Sequence, residues 1–264
     1  MTRISRAFAA AREAQRAAFI PYLTAGFPTT DDFLEHARQL LGVGDLLEVG
    51  LPFSDPLGDG PTIQRSSERA LAGGTTVAKV FSWIAALRSQ SDKPLLLMTY
   101  YNPIYCYAGG EEGFLEDFKE VGGDGIILPD LPPDEATTLL PVARRLELDT
   151  VFLVAPTSTR ERLQRVTSAC RGFVYAVSVT GVTGARKRLP ESVSELVRRT
   201  RAVSELPIAV GFGVSNAATA RPLASIADGV VVGSALIRAI DEGRGVGELA
   251  REIAGACRRT GINR

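Results

Sequence analysis

The sequence predicts an α/β fold: a single (β/α)8 TIM barrel with an extra N-terminal helix and a short extra helix after strand eight. Three observations predict it. Eight short apolar runs alternate with helical patterns along the 264 residues, and the runs are continuous, as in strands covered on both faces. No shift in composition divides the chain, so residues 1–264 read as one domain, a size that single barrels commonly reach. Glycine-rich loops follow the sixth, seventh and eighth runs. A doubly wound open sheet is the rival fold, but TAGFPTT after the first run is a poor nucleotide fingerprint.

The N-terminal stretch MTRISRAFAAAREAQRAAF has scattered charges and no signal-peptide core. It reads as a short amphipathic helix capping the barrel. The first strand is AFIPYLT, 18–24, and its helix has Thr30 as the expected N-cap with FLEHARQLL as its body. DLLEV, 45–49, is the second strand, with helical material from Thr62 to about Gln90. PLLLMTY, 94–100, is the third, followed by the helix GFLEDFKEVG. GIIL, 125–128, is the fourth, and Pro141 is expected to bend or break the helical stretch DEATTLLPVARRLE after it. TVFLVA, 150–155, and GFVYAVS, 172–178, are the fifth and sixth strands, with TRERLQRVTSA between them and ESVSELVRRTRAV after a long loop. PIAVGFG carries the seventh, before SNAATARPLA. GVVVG, 229–233, is the eighth, before the helices SALIRAI and VGELAREIAGAC.

Composition narrows the function. The chain is 45% hydrophobic and 23% charged, and 30 Lys+Arg balance 30 Asp+Glu. There is no basic excess of the kind a nucleic-acid or anionic-membrane surface needs, and no apolar stretch of membrane-spanning length. Cys106, Cys170 and Cys257 are odd in number and far apart, which fits reduced thiols in a cytoplasmic protein. The only histidine, His36, sits mid-helix, so neither a zinc site nor a Ser-His-Asp triad is supported, and no metal is expected. None of Lys79, Lys93, Lys119 and Lys187 lies on the working end of a strand, which argues against imine chemistry. Carboxylate acid/base chemistry remains.

In a barrel of this kind the working residues lie at the C-terminal ends of strands and in the loops beyond. Glu48 ends an apolar strand, and Asp59 follows in a loop braced by proline and glycine. A strand-end carboxylate is partly desolvated, which raises its pKa and suits proton exchange near neutrality. By position alone Glu48 fits a structural acid paired with arginine or backbone amides equally well. Asp59 alone reads as a turn residue, and Tyr175 alone as a core aromatic. The loops SVTGVTGAR, 178–186, GFGVS, 211–215, and GSALI, 233–237, offer backbone N–H groups and helix starts, which bind phosphate without basic side chains. The residues therefore point to a metal-free barrel enzyme that holds a phosphorylated small molecule at one side and moves protons from Glu48 at the other.

The stretch EVGLPFSDPLGDGPTIQRSSERAL, with PYLTAGFP, LMTYYNP, PDLPPDEA, SVTGVTGAR, VGFGVS and VVGSALI, closely resembles the tryptophan synthase alpha subunit family, in the family's order from about Phe19 to Ile237. The resemblance implies retro-aldol cleavage of indole-3-glycerol phosphate to indole and glyceraldehyde 3-phosphate. It implies Glu48 as general acid/base, Asp59 as the loop carboxylate and Tyr175 as the strand-six tyrosine. It also implies phosphate binding by Thr183, Gly184, Gly211, Phe212, Gly213, Gly233 and Ser234, and an indole pocket of Tyr22, Met98, Tyr100, Ile127, Pro129 and Leu153. Gly58 stands where the family more often has alanine. A pyridoxal-phosphate-dependent beta subunit is the implied partner in an alpha2beta2 complex. The cofactor belongs to that partner, and the Pro52–Asp55 loop and PDLPPDE are candidate docking surfaces. A stand-alone lyase releasing free indole, a sugar-phosphate isomerase of the same barrel type and a non-catalytic phosphate-binding barrel are the alternatives.

Overall fold

The computed structural model describes residues 1–177, 190–211 and 213–259. The chain opens with helix α1 (Arg3–Glu13) and continues through β1 (Ala18–Thr24), α2 (Thr30–Val43), β2 (Leu47–Gly50), α3 (Pro61–Ala72), α4 (Val77–Arg88) and β3 (Leu95–Met98). Next come α5 (Tyr101–Tyr105), α6 (Gly110–Glu120), β4 (Gly125–Ile127), α7 (Leu139–Arg145), β5 (Asp149–Val151) and β6 (Leu153–Val154). The rest is α8 (Arg160–Ala169), β7 (Val174–Val177), α9 (Glu191–Arg201), β8 (Ile208–Gly211), α10 (Ala217–Ile226), β9 (Gly229–Val232), α11 (Ser234–Asp241) and α12 (Val246–Ala256).

All strand pairings are parallel, and the sheet order is β5-β4-β3-β2-β1-β9-β8-β7-β6. The two end strands are consecutive in the chain, separated by Phe152 alone. They are one barrel strand, interrupted where it passes from pairing with β4 to pairing with β7. The Tyr175 N–H donates to the Phe152 carbonyl at 3.2 Å and carries the ladder across the interruption. Eight barrel strands therefore close a ring, and α11 is the short extra helix after the last of them.

Period-two alternation sorts the strand residues into two layers. Phe19, Leu23, Leu47, Val49, Leu95, Leu97, Ile126, Val174, Val210 and Val230 face outward and pack under the helices. Ala18, Ile20, Leu46, Leu96, Ile127, Val151, Phe173, Ala209 and Val231 face the lumen. Ile4, Phe8 and Ala11 of α1 complete this inner cluster from below, with the Phe8 ring 5.3 Å from Phe173. Polar bonds hold the helix there: Thr2 Oγ1 donates to Asp149 at 2.6 Å, and Arg3 pairs with Asp124 at 3.1 Å. The N-terminal helix is thus the barrel's bottom cap.

Local chemistry moves some predicted boundaries. Thr29, not Thr30, is the N-cap of α2; its hydroxyl accepts from Asp32 N–H. The stretch from Thr62 to Gln90 divides into α3 and α4, because Gly74 adopts φ +77° and Thr76 caps a new helix. Pro141 breaks nothing. Residues 133–135 and 137–138 form turns and α7 begins only at Leu139, so Pro141 lies in the first turn, where its missing N–H costs no helical bond.

Candidate active site

Glu48 is the third-last residue of a strand buried along its length, and it is 1% exposed. Its register neighbours are Tyr22 on β1 and Leu96 on β3. It shares the lumen parity of Leu46 and Leu96, so its carboxyl points into the barrel above a purely apolar floor. Neither carboxylate oxygen has a hydrogen-bond partner among the described residues. The arginine or amide partner that a structural acid requires is absent among them. Burial, with the nearby Asp59 charge adding to it, pushes the Glu48 carboxyl up to about 8.

Asp59 reaches the same space from the loop after β2. That loop is tied down at its start by Leu51 N–H donating to Met98 O, and within itself by Asp59 N–H donating to Pro56 O at 3.0 Å. Gln64, in the first turn of α3, donates to the Asp59 carbonyl at 3.0 Å. Burial raises the Asp59 carboxyl to about 6, while the nearby Tyr100 hydroxyl draws it down. Near neutral pH the surroundings therefore favour the protonated form of Glu48 and the ionised form of Asp59. Two carboxyls whose surroundings separate their proton affinities form an acid and an anion in one site.

The walls are aromatic and apolar. Tyr22 is buried and Tyr175 mostly so, and burial, together with the Glu48 and Asp59 charges, raises both phenols well above 10. Tyr22 lies against Gly50, where a Cβ would come within 2.1 Å of its hydroxyl; Tyr175 lies against Gly211, where a Cβ would come within 2.5 Å. Only glycine leaves those rings their places. Ser66 Oγ donates to Ile63 O at 2.8 Å, so it accepts from Thr24 Oγ1 at 2.6 Å, and Thr24 in turn accepts from Tyr22 at 3.3 Å. This buried chain turns the Tyr22 proton away from the carboxylates. Sequence reasoning missed Ser66, since nothing in RSSERAL marks one serine as a partner of the barrel interior.

The lumen is fully buried at Ile20, Leu96 and Ala209 but partly exposed at Met98, Leu153, Tyr175, Gly211 and Gly233. The barrel therefore opens at the C-terminal ends of its strands. Of the expected indole pocket, Tyr22, Met98, Ile127 and Leu153 share the lumen parity, and Tyr100 and Pro129 stand on the rim near Gly58. At the ends of the neighbouring strands, Gly211 ends β8, Gly213 has φ +46°, and Gly233, against Tyr22, caps α11, whose first turn begins at Ser234. Leu236 and Ile237 N–H donate to the Gly233 carbonyl, which leaves the Ser234 and Ala235 N–H groups without an intrahelical acceptor. Thr183, Gly184 and Phe212 lie outside the described residues.

Comparison with known proteins decides the family. The family model for the tryptophan synthase alpha chain matches residues 8–259. The chain belongs to the tryptophan synthase alpha chain family. The alpha chain of Deinococcus radiodurans is 52% identical over 258 residues, covering 97% of this chain and 95% of the relative. That of Streptomyces avermitilis is 46% identical over 257 residues, covering 96% and 92%. A tryptophan synthase structure from Mycobacterium tuberculosis superposes with a TM-score of 0.91 at 43% identity, covering 98% of this chain and 99% of that one. The family's alpha chain is a carbon–carbon lyase that cleaves indole-3-glycerol phosphate without a cofactor of its own; pyridoxal phosphate belongs to the beta subunit.

Proposed function

We propose that this chain, residues 1–264 acting as one barrel domain, cleaves indole-3-glycerol phosphate through Glu48 and Asp59 and passes indole to a beta subunit. The observation that carries this reading is the pair of carboxyls on one lumen: a buried Glu48 with no hydrogen-bond partner among the described residues, its pKa raised to about 8, beside an Asp59 raised to about 6.

Indole C3 leaves poorly until it is protonated. Glu48 gives its proton to C3, and the ring becomes an indolenine cation whose charge is shared with the ring nitrogen. Asp59 accepts the ring N–H and stabilises that charge in a site of low dielectric. The Glu48 carboxylate then takes the proton of the side-chain hydroxyl adjacent to the breaking bond. The carbon–carbon bond electrons return to the ring, the aldehyde of glyceraldehyde 3-phosphate forms, and Glu48 is again protonated. Tyr22, Met98, Tyr100, Ile127, Pro129 and Leu153 flank the indole. Tyr175 orients Glu48 or substrate. The phosphate sits at Gly211–Gly213 and Gly233–Ser234, with Thr183 and Gly184, where backbone N–H groups and the start of α11 favour an anion.

Two large apolar side chains stand out on the same rim, Leu57 at 83% exposure and Tyr105 at 67%. They flank the loop after β2 and the segment after β3, and they support docking of the beta subunit there in an alpha2beta2 complex, beside Pro52–Asp55 and PDLPPDE. No single helix among the described residues is long and apolar enough to cross a membrane, and we place the protein in the cytoplasm. The deciding experiment is turnover of indole-3-glycerol phosphate by wild type, Glu48→Gln and Asp59→Asn. Glu48→Gln is expected to lose on the order of 1,000-fold in kcat while still binding substrate; turnover near wild type removes the proposed acid.

A further inference from the structure

Tyr100 stands at the rim of the indole pocket, but its contacts run to the loop that carries Asp59. Its ring stacks on Phe53 at the start of that loop, with centroids 5.3 Å apart and planes 28° from parallel. Its hydroxyl accepts the Gly58 N–H at 2.9 Å, one residue before Asp59. The same hydroxyl lies close enough to the Asp59 carboxylate to lower its proton affinity. Tyr100 is itself fixed: it is 6% exposed, its carbonyl accepts from Thr99 Oγ1 at 3.0 Å, and the following N–H donates to both oxygens of Asp130. It follows directly on β3, so the barrel sheet holds both ends of the loop through one side chain. A phenol has one proton. With Gly58 N–H as its donor, the Tyr100 oxygen is left to give that proton to Asp59.

We infer that Tyr100 is a positioning residue for Asp59: its hydroxyl receives Gly58 N–H and donates to the Asp59 carboxylate, latching the loop acid over the pocket in its ionised form. The inference rests on the proposed roles of Glu48 and Asp59 and adds what holds Asp59 in place. A carboxylate has two oxygens, so Asp59 keeps one for Tyr100 and presents the other to the indole N–H. The bare Gly58 matters here. A Cβ at that position would lie 3.2 Å from the Tyr100 oxygen, tight enough to lengthen the latch by a few tenths of an ångström.

Asp59 is also faced by Glu48 from β2, Tyr22 from β1 and Tyr175 from β7, and Tyr100 is faced by Asp130 after β4. All of these persist when only the Tyr100 hydroxyl is removed. Tyr100→Phe therefore isolates the latch, and it keeps the ring that packs on Phe53. Two readouts are taken on the full chain. The first is the pH profile of kcat/KM for indole-3-glycerol phosphate. The second is the titration of 13C-labelled aspartate carboxyls, with Asp59 assigned by its absence in Asp59→Asn, and thermal unfolding confirms that the variant folds.

The expected result is a fall in kcat/KM of roughly tenfold or more, carried mainly by kcat. The acid limb of the profile and the Asp59 carboxyl titration should both move to higher pH. An Asp59 titration that coincides in the two proteins overturns the latch, as does a loss of activity with the acid limb unmoved. Absence of turnover in wild type would instead overturn the lyase reading, and the carboxyl titration would still decide the role of Tyr100.

Discussion

Glu48 is expensive to keep. A carboxyl that titrates near 4.5 in the unfolded chain and at about 8 in the folded one binds its proton more tightly when folded. Its contribution is favourable below the unfolded value and is lost as pH rises from there to the folded value, because the unfolded chain ionises freely while the folded chain does not. Glu48→Gln should therefore melt higher than wild type near pH 8, by an amount on the order of a few kcal/mol, and at nearly the same temperature near pH 4. Calorimetry at both pH values checks this; equal stability near pH 8 would contradict the buried acid. In the proposed mechanism the same two acids set the rate profile. kcat/KM should rise through about 6 as Asp59 ionises and fall through about 8 as Glu48 loses its proton. In Asp59→Asn the residual activity should lose its basic limb at lower pH than wild type, because the Asp59 charge is part of what holds the Glu48 proton. Much of this was legible at the residue level. An acid at the end of DLLEV announces a desolvated carboxylate, and period-two parity brings Tyr22, Met98, Ile127 and Leu153 to the same lumen. What the string of letters does not carry is that Glu48 has no hydrogen-bond partner among the described residues, which depends on side chains from distant strands. The inferred donation from Tyr100 to Asp59 is equally invisible there, since it joins two loops through a single hydroxyl.

Elements were legible where hydrophobic pattern alone decides them. The apolar runs at 18–24 and 229–233 became β1 and β9 almost to the residue. Reading failed where backbone geometry decides. Gly73–Gly74 splits one expected helix into α3 and α4, residues 133–135 and 137–138 turn before α7 begins, and the five-residue α5 has too short a pattern to detect. The interruption at Phe152 is a closure effect, since one strand must hand its ladder from β4 to β7. At this scale α1 is the informative element. Phe8 is 4% exposed and packs on Phe173 inside the barrel floor. Phe8→Ala should cost about 3–5 kcal/mol of stability in denaturant unfolding, with KM for the substrate near wild type, because the cap lies at the end of the barrel opposite the carboxyls. A stability loss within experimental error would mean that α1 is not the floor of this core.

Across the whole molecule the barrel separates its duties by end. The bottom is sealed by α1 and its ties to Asp124 and Asp149; the top holds the acids, Gly211, Gly213 and Gly233, and two exposed apolar side chains. Tyr105→Ser removes one of those side chains without touching the lumen. It should leave the unassisted lyase rate unchanged and weaken association with the beta subunit by several-fold in titration calorimetry; unaltered affinity would move the docking surface elsewhere. The proposed cleavage depends on the protonation state of one carboxyl. Infrared difference spectra of wild type against Glu48→Gln near pH 7 measure it directly. A protonated-carboxyl C=O stretch that is present in wild type, absent from the variant and lost on titration through about 8 is the predicted result. A Glu48 that is already ionised at pH 6 would contradict it, for it would have no proton to give to indole C3.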